Sequence, residues 1–126
     1  MAVTYNTALT NTRLTDVITY IDAGAGNGYM EVGTTGMTAV LSTITLAKPC
    51  GTVAARVLTF SIMPRVDVAA AVTGTAAEAR IKDSTGTVVV SGLTVGLAGS
   101  GSDAIINSVA ISIGDIVTLT SATITG

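Results

Sequence analysis

The stretch 76–95 constrains the fold more closely than any other part of this chain. From residue 77 to residue 82, small or apolar residues at odd positions alternate with charged residues at even positions, which is the period of a half-buried β-strand. The turn sequence Asp-Ser-Thr-Gly follows at 83–86. It suits a three-residue loop, because the aspartate can accept backbone N–H groups and Gly86 can take the positive φ of a bulge. The stretch therefore predicts a β-hairpin.

Pairing Asp83 with Thr87 fixes the register of this hairpin. On the apolar face the register predicts three cross-strand pairs: Ile81 with Val89, Ala79 with Ser91, and Ala77 with Leu93. On the charged face it predicts two pairs: Arg80 with Val90 and Lys82 with Val88. Two valines among charged side chains indicate either a protein–protein contact or ordinary exposed valines, and the sequence leaves both interpretations open.

The length of 126 residues predicts one domain that covers residues 1–126. Although 48% of the residues are hydrophobic, they occur in short runs, so we expect no membrane-spanning helix and no membrane partner. The N-terminus has no basic segment followed by an apolar block, so we expect no secretion signal and synthesis in a cytoplasm.

The charge balance limits the partners that this chain can have. Six basic and eight acidic residues give a net charge of −2, so we expect no nucleic-acid partner. Charged residues make up only 11% of the chain, which favours a protein that works in an assembled state, and we expect a homo-oligomer. With no histidine and a single cysteine, the chain lacks the ligands of a structural zinc site, and we expect no cofactor.

An amphipathic helix is predicted near the N-terminus, at 7–22. Its apolar stripe has the spacing i, i+3, i+4, i+7 and consists of Leu14, Val17, Ile18 and Ile21. Asn6 or Asn11 is a candidate N-cap, and the helix should end near Gly24. We expect residues 1–5 to form a short extended arm that precedes the helix.

Short apolar runs bounded by glycine and proline predict about eight strands at a spacing near ten residues. Besides the two hairpin strands, they fall at 29–32, 38–46, 53–62, 66–73, 104–113 and 116–125. This spacing predicts an all-β fold, a single antiparallel β-sandwich of jelly-roll type with one N-terminal helix. The Gly/Ser-rich segment 96–103 is predicted to be a mobile loop.

Several motifs invite a chemical interpretation that their context does not favour. The glycine-rich segment 23–28 follows a predicted helix, whereas a dinucleotide loop follows a strand, so we interpret it as a flexible connection. The turn at Asp83 is one residue too long for the aspartic-protease element, which also needs two carboxylates. Cys50 has no histidine to activate it.

Two further kinds of site receive weak support. The aspartates Asp67, Asp103 and Asp115 do not have the spacing of a compact calcium loop, so we expect no metal. Carbohydrate binding stays open, because the chain is rich in Gly, Ser and Thr but has few aromatic platforms.

The chain also resembles a known group of proteins. The resemblance rests on five segments: 11–14 (Asn-Thr-Arg-Leu), 73–76 (Thr-Gly-Thr-Ala), 79–89, 114–118 (Gly-Asp-Ile-Val-Thr) and 123–125 (Thr-Ile-Thr). In these segments the chain is similar to the small structural proteins encoded among the head genes of tailed bacteriophages. The resemblance implies a capsid cement or decoration protein, a β-sandwich on the virion surface whose partner is the major capsid protein.

Two other functions compete with this one. The first is a structural protein of the phage tail, neck or host-attachment apparatus. The second is an enzyme, such as a hydrolase that uses Asp83; we expect no catalytic residue. For a cement protein, the contacts are predicted on the arm and helix, the outer face of the hairpin and the glycine loop: Tyr5, Arg13, Arg80, Lys82, Val88, Val90, Ser100 and Asp103.

Overall fold

A computed structural model describes residues 5–125, so the predicted arm lies outside the described residues except for Tyr5. The described chain has one α-helix, one 3₁₀ turn and eleven strands. The helix α1 is Thr7–Ile21 and the 3₁₀ turn is Thr35–Met37. The strands are β1 Tyr29–Gly33, β2 Val40–Thr45, β3 Gly51–Ala54, β4 Val57–Phe60, β5 Arg65–Asp67, β6 Gly74–Thr75, β7 Glu78–Lys82, β8 Val88–Gly96, β9 Ala104–Ile106, β10 Ala110–Ile111 and β11 Val117–Thr125.

The strands form one large curled sheet. Eight of them pair in the order β2-β1-β7-β8-β9-β11-β4-β3, β5 pairs with β11, and β6 and β10 form a separate ladder. Every pair is antiparallel except β8 with β9, which is parallel. The mostly β fold with one helix is confirmed, but the prediction of a purely antiparallel sheet was wrong. The sheet is mixed and curls into a half-barrel.

The strand β5 ties β11 to the edge strand β2. It pairs with β11 through its backbone, and its side chains reach β2. Asp67 Oδ2 accepts hydrogen bonds from the Ser42 hydroxyl (2.6 Å) and the Thr43 backbone N–H (3.2 Å). Arg65 Nε donates to the Thr45 carbonyl at 2.8 Å. These contacts cover the outer edge of β2 and hold the curl of the sheet.

The helix packs its predicted apolar stripe into this curl. Leu14 and Ile21 are buried, and Val17 and Ile18 pack half-buried against the same core. The helix lies against β3, β4 and β8. The same core contains fully buried side chains of the sheet, which include Met30, Val32, Ile44, Leu58, Ile81 and Leu119. The predicted helix is therefore confirmed, with Asn6 as its N-cap and Asp22 as its C-cap.

The predicted strand at 53–62 was wrong, because the chain reverses inside it. Ala55 and Arg56 have φ values of 49° and 68°, which form a tight turn between β3 and β4. The Arg56 N–H donates to Asn11 Oδ1 at 2.9 Å, and its guanidinium donates to the Thr7 hydroxyl and to the Tyr5 carbonyl. Ala55 and Arg56 do not favour the positive φ that this turn needs, so contacts with the helix hold the turn in place.

Two other predicted strands are shorter than expected. The run at 66–73 is a strand only over Arg65–Asp67, and the run at 104–113 is interrupted between β9 and β10. The interruption follows from Asn107, whose amide donates to the Ile116 carbonyl and whose Oδ1 accepts the Thr118 N–H. This side chain takes hydrogen-bonding groups that a continuous ladder would use.

Candidate docking surfaces

The N-terminal end of α1 brings two of the predicted contact residues together. Asn6 adopts an extended backbone and its Oδ1 accepts the Leu9 N–H at 2.7 Å, which caps the helix. Tyr5 precedes this cap, and the Arg13 guanidinium lies 4.7 Å from the centre of the Tyr5 ring. That distance is within the range of a cation–π interaction. Tyr5 and Arg13 therefore form one exposed aromatic and cationic group.

The predicted turn of the hairpin is confirmed. Asp83 Oδ1 accepts hydrogen bonds from the Thr85 hydroxyl (2.6 Å), the Thr85 N–H (2.9 Å) and the Thr87 N–H (3.0 Å). The Asp83 N–H donates to the Thr87 carbonyl, and Gly86 has a φ of 93°. The hydroxyl of Thr85 and these backbone donors hold the pKa of Asp83 below its ordinary value. The carboxylate is thus engaged by the turn itself.

The predicted register is correct for the pair beside the turn and wrong for the pairs farther from it. Lys82 pairs with Val88 as expected, but Ile81 pairs with Val90 and Ala79 pairs with Leu93. Because β8 inserts an extra residue at each of two bulges, its later residues are displaced relative to β7. Val90 is consequently half-buried and packed against the core. Its assignment to the charged outer face was wrong, whereas Val88 is exposed.

The helix and the hairpin enclose a surface groove, which we call the helix–hairpin groove. It has a volume of about 420 Å³ and is lined by Arg13, Asp16, Val17, Tyr20, Asp83, Thr87, Val88 and Val89. A second hollow of about 310 Å³ shares Arg13 and Val17 with it and extends to Tyr5, Thr10 and Leu14. Tyr5 and Val88 therefore line two adjoining hollows along α1, and Arg13 lines both.

Arg80 and Lys82 lie on the outward face of the sheet, where a carboxylate from β1 engages both. Glu31 Oε1 is 2.6 Å from Arg80 Nε and 3.0 Å from Lys82 Nζ. Partial burial by itself would raise the pKa of Glu31, but the hydrogen bonds and charges of Arg80 and Lys82 together hold this pKa below its ordinary value. The two cations are ion-paired within the chain and tie β7 to β1.

Ser100 and Asp103 belong to the loop between β8 and β9. Asp103 Oδ2 accepts hydrogen bonds from the Thr94 N–H (3.0 Å) and hydroxyl (3.1 Å), which connects the two ends of the loop. Ser100 donates to the Ser102 hydroxyl at 3.0 Å. The loop folds back over Gly96, since a Cβ there would lie 2.5 Å from both of these hydroxyl oxygens. Ser100 and Asp103 line neither of the two hollows along α1, and their loop leads from β8 into β9, which pairs parallel to it.

A second candidate surface was missed by sequence reasoning. It lies on β5, the segment that follows β5 and the turn before β11, and we call it the β5 patch. Its members are exposed large aliphatic side chains: Val66, Val68, Val72, Ile113 and Ile116. A signal was present in the sequence, because apolar residues flank the Gly114-Asp115 turn, where polar residues are usual.

Cys50 and the glycine-rich connection 23–28, which could suggest a catalytic thiol and a phosphate loop, are both engaged in contacts within the fold. Cys50 is buried, and this burial, together with the neighbouring Asp22 carboxylate, raises the pKa of its thiol to about 12. At neutral pH this thiol is protonated and therefore a weak nucleophile. The connection 23–28 is held by hydrogen bonds along its length: the Ser84 hydroxyl donates to the Ala23 carbonyl, Lys48 Nζ donates to the carbonyls of Gly24 and Gly26, and the Asn27 amide donates to the Leu46 carbonyl.

Within the described residues, no group of three or more His, Cys, Asp or Glu side chains is arranged to hold a metal ion. In the same part of the chain, no helix is both long enough and apolar enough to span a membrane. Comparison of the chain with protein-family models, with curated proteins and with solved structures found no significant match.

Proposed function

We propose that this chain is a virion structural protein that binds the assembled capsid of a tailed bacteriophage and stabilises the contacts between shell subunits. Its partner in this proposal is the major capsid protein, and its place is the capsid surface after synthesis in the bacterial cytoplasm. The observation that carries the proposal is the helix–hairpin groove, which Arg13 and Val88 line, together with the adjoining hollow that Arg13 shares with Tyr5.

The residue types of the groove support a protein partner. Tyrosine and arginine are enriched among the residues that contribute most to protein–protein binding. Tyr20 lines the groove together with Val17, Val88 and Val89. It is 67% exposed, so a partner protein could cover its ring. Arg13, Asp16 and Asp83 supply charge of both signs at the groove, which would fix the orientation of a partner segment.

The mechanism in this proposal is thermodynamic and requires no catalysis. A protein that binds only the assembled shell lowers the free energy of that state relative to free subunits, by an amount that rises with the concentration of the protein. In this proposal the groove binds a segment of the major capsid protein that is accessible only where shell subunits meet. The chain then binds assembled shells and not free subunits. We also propose that the sheet belongs to a jelly-roll-like sandwich; the contact between β2 and β5 supports this architecture.

The proposal is tested with capsids that lack the protein and with purified chain added back. Val88→Glu places a charge in the apolar floor of the groove, and we expect capsid affinity to fall by roughly tenfold or more. The matched control is Ser91→Glu, which adds the same charge at an exposed position of the same strand outside the groove. Val90→Glu is unsuitable because Val90 packs against the core.

Two results would contradict the proposal. One is the absence of the chain from intact virions, measured as its stoichiometry to the major capsid protein. The other is equal capsid binding by Val88→Glu and Ser91→Glu. Labelled chain that is located by electron microscopy on the tail or neck would favour a structural role there in place of the capsid.

A further inference from the structure

The helix–hairpin groove has an open backbone edge on its hairpin side. The Asp83 N–H donates to the Thr87 carbonyl, which makes these two residues a hydrogen-bonded pair. The next pair, Lys82 with Val88, exchanges no hydrogen bonds, because the two kinds of pair alternate along an antiparallel ladder. The Val88 N–H and C=O therefore point away from β7. On that side, β8 has no paired strand among the described residues until β9 begins to pair at Val95.

An open strand edge binds an extended peptide, because main-chain hydrogen bonds do not depend on the side chains of the partner. Val88 lines the groove, so an extended segment bound there can pair with this backbone. Along α1 the groove extends from Arg13 to Tyr20, which is about 10 Å at the rise of an α-helix. A strand rises about 3.3 Å per residue, so roughly three extended residues fill this length.

Two carboxylates line the groove, those of Asp16 and Asp83. The ion pairs within residues 5–125 are those of Glu31 with two basic residues of β7, so neither aspartate is ion-paired there. The hydrogen bonds from Thr85 and Thr87 all end on Asp83 Oδ1, so its Oδ2 can accept a donor from a partner. The two carboxylates therefore favour a cation that a partner supplies.

The end of α1 beside the hairpin turn also favours a cation. The Ser84 hydroxyl donates to the Ala23 carbonyl, which places the turn at the C-terminal end of the helix. This end of a helix carries a partial negative charge, and the last turn of α1 contains no basic residue. Tyr20 belongs to that last turn and is exposed, so the face of its ring can bind a cation.

Arg13 gives the groove a direction. Its guanidinium lies 4.7 Å from the centre of the Tyr5 ring, and Tyr5 precedes the helix, so this positive charge is at the N-terminal end of α1. One arginine and two aspartates give the groove a net charge of −1. A basic side chain of a partner is thus attracted to the end at Tyr20 and repelled from the end at Arg13.

We propose that the helix–hairpin groove binds an extended peptide segment that carries a lysine or an arginine. The basic side chain lies between Asp16, Tyr20 and Asp83, and the backbone of the segment runs along the open edge of β8. Aliphatic residues that flank the basic one cover Val17 and Val89. That the segment belongs to the major capsid protein rests on the proposed function, whereas its chemistry follows from the groove.

The test is an NMR titration of the purified full chain with two capped peptides, acetyl-Ala-Val-Arg-Val-Ala-amide and the same peptide with glutamate in place of arginine. We expect the arginine peptide to bind with a Kd on the order of 1 mM and to shift the amide signals of Tyr20, Thr87 and Val88. The glutamate peptide should bind roughly fivefold more weakly, because its charge has the same sign as that of the groove.

Asp16→Asn should weaken binding of the arginine peptide by roughly threefold, because it removes one exposed partner of the cation. The matched control is Glu78→Gln, which removes the same charge on β7 outside the groove and keeps an oxygen that can accept the Gly36 N–H. This control should bind the arginine peptide like the wild type. Thermal unfolding followed by circular dichroism verifies that both variants are folded.

Equal binding of the two peptides would overturn the proposal, and so would an arginine peptide that shifts no signal of the groove. Equal binding of the arginine peptide by Asp16→Asn and Glu78→Gln would also overturn it, since the cation would then lie elsewhere.

The titration contains no capsid, so its failure is distinguishable from failure of the proposed function. If the arginine peptide does not bind while Val88→Glu lowers capsid affinity relative to Ser91→Glu, the preference for a basic segment is wrong and the capsid role stands. If the arginine peptide binds while the wild-type chain does not bind capsids, the preference stands and the capsid role is wrong.

Discussion

The β7–β8 and β3–β4 hairpins of this protein form their turns by opposite means. In the β7–β8 hairpin, Asp83 and Gly86 lie within the turn and supply both the hydrogen bonds and the positive φ that it needs. In the β3–β4 hairpin, Ala55 and Arg56 adopt positive φ without a glycine, and Asn11 of the distant helix accepts the Arg56 N–H. One turn is encoded where it occurs, and the other is imposed by tertiary contacts.

We expect the two turns to differ in which substitutions lower the free energy of unfolding. A locally encoded turn depends on its own residues, so substitutions there change its stability directly. An imposed turn already contains strained residues, so its stability depends on the distant groups that hold it. Substitutions in the two hairpins can separate these cases.

The largest effect is expected for Asn11→Ala. The substitution removes the acceptor of the part-buried Arg56 N–H and should lower the free energy of unfolding by about 1–3 kcal/mol. Urea denaturation measures this change. The control is Thr12→Ala on the same helix, whose hydroxyl only bonds the Ala8 carbonyl one turn earlier. If both variants lose the same stability, the helix does not hold the β3–β4 turn.

Effects of intermediate size are expected when glycine is replaced by alanine in the β7–β8 turn and alanine by glycine in the β3–β4 turn. The first change should destabilise the protein and the second should stabilise it. Gly86→Ala should destabilise the protein by about 1 kcal/mol, because alanine is disfavoured at a φ of 93° while a Cβ there meets only the Tyr29 hydroxyl, at 3.7 Å. Ala55→Gly should stabilise it by about 0.5 kcal/mol, since relief of the positive φ exceeds the entropy cost of glycine. Thermal unfolding of both variants checks the signs. The same sign for both would remove the contrast between the turns.

The smallest effect is expected from the carboxylate of Asp83, because it is exposed to solvent and its interactions are screened. Its pKa is lowered in the folded state, so its stabilisation is present above the ordinary carboxyl pKa near 3.9 and is lost as the pH falls through the lower folded value. Asp83→Asn should therefore destabilise the protein more at pH 7 than in acid.

Urea unfolding of wild type and Asp83→Asn at several pH values measures this loss. Asp16→Asn, at an exposed position of the helix, is the control for removing one negative charge. A stability difference between wild type and Asp83→Asn that does not change with pH would show that the charge of Asp83 contributes nothing to its turn.

The same contrast explains which parts of the fold could be predicted from the sequence. The Asp83 turn and the α1 stripe depend on residues close in sequence, and both were predicted correctly. The reversal at Ala55 and Arg56 could not be predicted, because neither residue favours it and its partner lies 45 positions earlier. The pairing of β8 with β9 likewise depends on Asp103 binding Thr94 across the loop.

Residues of the candidate surfaces were predicted correctly only where their position does not depend on the register of strand pairing beyond the hairpin turn. Tyr5, Arg13 and Val88 line two adjoining hollows, and the helix and the hairpin turn that carry them were both predicted correctly. Val90 was misassigned because the bulge at Val89, which no neighbouring glycine or proline signals, shifts its pairing. The β5 patch was missed because an alternating run such as 66–68 does not reveal which of its faces a partner strand will cover.

The position of β11 has a consequence for how the protein is made. This strand pairs with β4, β5 and β9, and β4 lies more than fifty residues earlier in the chain. During translation, the β7–β8 hairpin can form as soon as it leaves the ribosome, since its contacts are local. The strands β4 and β5 lack one pairing partner until β11 is made, and until then their edges are open to other nascent chains. We therefore expect the emergence of β11 from the ribosome to be the step that commits the chain to its native sheet.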